Sequence, residues 1–107
     1  MDKGMHDGHR NRLKRRFLEE GMEQFEPHNV LELLLFYSIP RQDTNETAHR
    51  LIDTFGSLSA VFDASVEDLV KVEGVGMNTA ILIKLVPAVN RRYLEDLSLI
   101  HISEPTR

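Results

Sequence analysis

The stretch KVEGVGMNTA, residues 71–80, holds the residues whose types and spacing could do chemistry. Gly74 and Gly76 flank Val75, and Ala80 follows four residues after the second glycine. Two glycines this close weaken any regular element, because glycine loses more backbone entropy on ordering than other residues. A short turn between two helices leaves the N–H groups at the start of the second helix without intrahelical partners. Those groups point outward at the positive end of a helix dipole. With no side chains at Gly74 and Gly76, a phosphate oxygen can approach the N–H groups from Gly74 through Val75, Gly76 and Met77 to Asn78. Val75 then plugs the gap between the helices, and Ala80 is small enough for close helix packing. Such a site reads phosphate and not base sequence. The plain alternative is a connector in which a glycine merely stops a helix.

The elements that must position this turn all read as helices. Residues 8–20 set Leu13, Phe17 and Leu18 on one side and Arg10, Arg12, Lys14 and Arg16 around the rest, an amphipathic helix ended by Gly21. Pro27 suits the first turn of a second helix running to Tyr37. Its Val30, Leu31, Leu33, Leu34, Leu35 and Phe36 make it apolar nearly all round, hence central. Ser38-Ile39-Pro40 breaks it. Asp43 with Glu46 resembles a capping box opening a third helix that buries Ala48, Leu51, Ile52 and Phe55 and stops at Gly56. Ser57 caps a short helix over 58–62, and Ser65 another over 66–72. The last helix starts near Asn78 and runs towards Asp96, with Pro87 expected to kink it by crowding the Ile83 carbonyl. No segment alternates as a strand does.

A repeat links the two halves of this second region. A shift of twenty residues lays Gly56 on Gly76 and Ala60 on Ala80. Gly56 and Ser57 would thus form a second, weaker phosphate contact.

Length and charge bound the rest. The 107 residues fit one domain with a modest core. The net charge of −4 argues weakly against nucleic acid, but its distribution matters more. HRNRLKRR, residues 9–16, carries Arg10, Arg12, Lys14, Arg15 and Arg16 and no acid. On a helix these residues attract a phosphate backbone or simply form a solvated face. Arg91 and Arg92 stand where cations favour a helix C-terminus anyway. His6 and His9 have a metal-sharing spacing without a third ligand, so no metal or other cofactor is expected. His28 reads as a helix-start residue and His49 as a surface one, and 41–44 as a cap and loop. There is no cysteine, no secretory signal and no apolar run of membrane length, and a cytoplasmic location is the expectation.

Residues 97–107, LSLIHISEPTR, break from what precedes them. They resemble the in-frame translation of a transposase-based sequencing adapter. They are therefore set aside as non-native, and the natural protein is expected to continue past Asp96.

The segment 72–80 resembles the helix-hairpin-helix motif, which binds DNA backbone without sequence preference. Residues 55–58 and 64–69 resemble the degenerate first hairpin of the tandem form. GHRNRLKRRFLEEG, LELLLFYSIPRQDTNETAHRLIDTFGSLSAVFDAS and LIKLVPAVNRRYLED together resemble the N-terminal region of the RadC (UPF0758) family over nearly all of 8–96. The resemblance implies an all-α, small helical bundle with a SAM-like tandem helix-hairpin-helix second half. The basic and apolar helices would occupy 1–42 and the hairpins 43–96. It also implies a role long labelled DNA repair, and a following JAMM/MPN-type domain with His and Asp zinc ligands, of which this chain has no motif. Its partners would be DNA, held weakly, and its own missing C-terminal domain. Where such hairpins often carry Lys or Arg, this one has Met77, Asn78 and Thr79, with Glu73 alongside, so the basic helix must supply most of the attraction. A few phosphate contacts give roughly 10⁻⁴ to 10⁻⁶ M affinity at physiological salt.

Two other functions compete. A protein-interaction bundle would use the hairpin only to pack helices, and the net acidity favours it. Bifunctional DNA glycosylases of the helix-hairpin-helix class carry a lysine nucleophile two residues after the second glycine. Asn78 stands there, and an amide cannot form the Schiff base. No residue of the chain reads as catalytic.

Overall fold

The computed structural model describes residues 2–40 and 42–103, with side chains over 8–40 and 42–98. The His6 side chain, Arg41 and residues 104–107 lie outside the described residues.

Among the described residues six helices follow one another: α1 (Asp2–Glu20), α2 (Pro27–Leu35), α3 (Thr44–Phe55), α4 (Leu58–Asp63), α5 (Val66–Leu69) and α6 (Met77–Ser103). The described residues contain no strand. No helix among them is long and apolar enough to cross a membrane. Two helices are longer than the sequence pattern indicates. α1 begins at Asp2 instead of Gly8. α6 runs unbroken through Pro87 to Ser103, whereas the side-chain pattern takes it only towards Asp96. Proline's cost inside a helix is local, one lost N–H and one crowded carbonyl, and the flanking turns keep their own bonds.

Caps explain the boundaries. Asp43 accepts the Asn45 N–H at 2.9 Å, but Glu46 pairs with Arg50 instead of closing the expected capping box. A capping box forms instead at Glu26 and Asn29, ahead of α2. Ser57 Oγ accepts the Ala60 N–H, and Ser65 Oγ accepts the Asp68 N–H, both at 3.1 Å. Gly56 ends α3 in the left-handed region at φ 101°, where a Cβ would be strained.

Being apolar nearly all round, α2 divides the interior in two. On one side Leu31 and Leu35 join Ala48, Leu51, Val61, Leu69, Val72, Val75, Ala80 and Ile83 in the larger core. On the other, Leu33 and Phe36 meet Leu13 and Phe25 beneath α1. Ile52 and Phe55 are partly buried against the larger core. Leu18, expected on the apolar side of α1, is exposed.

Polar groups fasten α1 to this frame. His9 Nε2 lies 2.7 Å from Oε2 of Glu32, a carboxylate that is only 1% exposed. Asn45 Nδ2 donates to the other oxygen of the same carboxylate at 3.4 Å. Asn45 sits in the first turn of α3, so one buried acid ties together three helices. Its burial is tolerable because both oxygens are engaged.

Candidate nucleic-acid interface

Between α5 and α6 the chain turns through Val72-Glu73-Gly74-Val75, closed by the Val75 N–H on the Val72 carbonyl at 3.0 Å. In the turn forms that favour glycine the third position takes positive φ, and Gly74 sits there at φ 93°. A Cβ on Gly74 would meet Thr47 Oγ1 of α3 at 2.9 Å. Gly74 therefore lacks a side chain because the fold needs the space, not because a ligand does. Gly76 is different. Its φ is not positive, and a Cβ built there meets nothing within 4 Å.

Val75 points back into the larger core, only 6% exposed, so its side chain is the plug the sequence indicated. Its N–H, however, is spent inside the turn and is not free for an anion. The first intrahelical bond of α6 is the Ala80 N–H to the Gly76 carbonyl at 3.0 Å. The N–H groups of Gly76, Met77 and Asn78 have no protein acceptor among the described residues, and all three residues are exposed. They stand at the positive end of a 27-residue helix. Thr79 is buried and donates its hydroxyl to Ser38 Oγ at 3.0 Å, pinning the first turn of α6 to the end of α2.

The α3–α4 turn corrects the repeat register. The Ser57 carbonyl accepts from Val61 as the Gly76 carbonyl accepts from Ala80, and Val61 and Ala80 are both fully buried. The offset is nineteen residues, not twenty. At the helix starts Ser57 is thus the counterpart of Gly76, while the left-handed Gly56 corresponds to Gly74, the second turn holding one extra residue, Val75, before its helix. This turn is less free to bind. The Gly56 N–H bonds the Ile52 carbonyl at 2.7 Å, and Ser57 Oγ already satisfies Ala60.

The basic residues of α1 do not form one exposed face. Arg10, expected on the polar side, is 8% exposed and donates to the carbonyls of Phe36, Ile39 and Gln42 at 3.1, 2.6 and 2.8 Å. Its guanidinium stacks 4.6 Å from the Phe36 ring. It fastens α1 to the carbonyl end of α2, where a cation is favoured, and it is not available to DNA. Arg16 donates to the Gln24 carbonyl at 3.1 Å, pairs with Glu20 and lies over Phe25. Lys14 is half-buried over Tyr37. Arg12 and Arg15 are exposed, with no ion pair among the described residues.

Two features escaped the sequence. Arg50 Nη1 donates to the Glu73 carbonyl at 2.7 Å, and its Nη2 lies 3.3 Å from Glu46. An i, i+4 pair on a helix reads as ordinary surface chemistry, so nothing tied Arg50 to the hairpin. His28 and His49 stack 4.1 Å apart, joining α2 to α3.

Comparison with known proteins agrees with this geometry. A helix-hairpin-helix motif matches residues 57–86, which points to nucleic-acid binding in general. A UPF0758 protein of Fusobacterium nucleatum subsp. nucleatum is 42% identical over 78 residues, 73% of this chain and 34% of that protein. A UPF0758 protein of Ruegeria pomeroyi is 43% identical over 84 residues, 78% of this chain and 38% of that protein. The chain thus spans little more than a third of the length of these curated relatives. No solved structure matches it at a significant level. With an all-α fold, a helix-hairpin-helix motif and this identity over about three quarters of its length, the chain belongs to the UPF0758 family.

Proposed function

We propose that this chain is a DNA-backbone-binding module, accessory to whatever chemistry the rest of a UPF0758 protein performs. The observation that carries the reading is the exposed, unpartnered N–H array of Gly76, Met77 and Asn78 at the start of α6, open above Gly76. A phosphate oxygen there meets backbone donors and a helix dipole, and no base edge. Arg12 and Arg15 add long-range attraction, and the α3–α4 turn at Gly56 and Ser57 a weaker contact. The module itself is non-catalytic. The expected metal-dependent hydrolase-like domain, and the placing of residues 97–107 outside the native protein, belong to the same proposal.

The test is fluorescence anisotropy with short duplex, single-stranded and branched DNA over a series of salt concentrations. Binding that weakens with salt and is lost in Gly76→Glu supports the reading. That substitution sets a carboxylate over the N–H groups, and its Cβ enters open space. No binding even at about 50 mM salt, where phosphate contacts are strongest, overturns it.

A second reading, a protein-interaction bundle, is favoured by an apolar groove of about 480 Å³ between α1, α2, α4 and α6, lined by Phe17, Met22, Leu33, Tyr37, Phe62 and Val86 among others. Partner binding that is insensitive to salt, with no DNA affinity, would select it.

A further inference from the structure

The matched motif begins at residue 57, yet the groups that shape its turn lie before it, on α3. Thr47 Oγ1 occupies the space beside Gly74 that a side chain would fill. Three residues on, one α-helical turn away, Arg50 reaches the same turn. Its Nη1 holds the Glu73 carbonyl at 2.7 Å, and its Nη2 is anchored by Glu46 at 3.3 Å. Arg50 Nη1 also lies within 3.5 Å of the position a Gly74 Cβ would take. The turn has only one backbone bond of its own, from Val75 to Val72. A glycine-containing loop with one internal bond samples other conformations unless something outside it removes them.

From this geometry we infer that Arg50, braced by Glu46 and beside Thr47, is a positioning residue for the phosphate site: it fixes the Gly74 turn from outside and so aims the N–H groups of Gly76, Met77 and Asn78. The inference rests on the phosphate reading of that site. It makes α3 part of the binding unit, which starts near Glu46 and not at residue 57. Arg50 acts through the Glu73 carbonyl and not by touching DNA. Its Nη1 and Nη2 each already have a partner, that carbonyl and Glu46, and it shares a shallow hollow with Glu46 and Asp53, whose charges disfavour a phosphate.

The experiment compares wild type, Arg50→Ala, Arg50→Lys and Gly76→Glu in the full chain. Kd is measured against salt by anisotropy, and amide hydrogen exchange is followed at Val75. Arg50→Ala should weaken DNA binding about tenfold, the effect of losing one charge-assisted hydrogen bond. It should leave the salt slope unchanged and speed Val75 exchange, with helical content retained. Arg50→Lys should recover part of both, since an ammonium can still donate to the carbonyl. A salt slope lower by about one would mean direct phosphate contact and overturn the inference. So would unchanged affinity or unchanged Val75 exchange in Arg50→Ala. Failure of the phosphate reading shows separately, as no binding by wild type or full binding by Gly76→Glu.

Discussion

Thr47 and Gly74 are in register across the α3–hairpin contact: Thr47 Oγ1 lies 2.9 Å from the place a Gly74 Cβ would occupy. This separates the two glycines of the turn into a packing glycine and an access glycine. Gly74→Ala should destabilise the fold by about 1–3 kcal/mol, from the left-handed backbone together with the Thr47 clash. Gly76→Ala should stay within about 0.5 kcal/mol. Urea denaturation of the two variants checks this, and equal losses would refute the division.

Arg10 is predicted to matter for stability and not for DNA. Arg10→Ala strands three carbonyls and removes the Phe36 contact, at a cost of about 2–4 kcal/mol. Arg10→Lys should not restore it, because an ammonium cannot match the guanidinium's planar spread of donors. Thermal denaturation provides the measure. A stable Arg10→Ala protein with weakened DNA binding would reverse the assignment.

Arg12 and Arg15 should behave in the opposite way. The double variant Arg12→Ala/Arg15→Ala should keep the wild-type melting temperature and lower the DNA salt slope by about two. An unchanged slope would leave these arginines as a solvated face.

Leu51→Ala removes a fully buried side chain from the larger core, next to the α3 residues that brace the hairpin. A loss of about 2–5 kcal/mol is expected in equilibrium unfolding. A loss under about 1 kcal/mol would show that this core repacks freely.

The helices were readable because their signals are local: periodic apolar residues, serine and aspartate caps, and a glycine after Phe55. The centrality of α2 was readable too, since a helix apolar all round has nowhere to go but inside. What escaped depends on distant neighbours. Nothing near Arg10 reveals that the carbonyls of Phe36, Ile39 and Gln42 converge on it. Nothing near Gly74 reveals Thr47. The repeat is not legible to the residue, because glycine fills the left-handed role in both turns but the helix-start role in only one, where serine takes it in the other. Identity matched Gly56 to Gly76, whereas backbone conformation matches it to Gly74. The pattern places the Val75 side chain in the core, but offers to an anion an N–H that the turn itself consumes.

α2 has one side in each of two separate clusters, and α1 rests only on the smaller one. What joins α1 to the rest is largely polar: Arg10 on the Phe36, Ile39 and Gln42 carbonyls, and His9 on the Glu32 carboxylate that Asn45 also reaches. The two clusters are therefore coupled through directional bonds, and altering those few polar partners should uncouple them more effectively than trimming either apolar cluster.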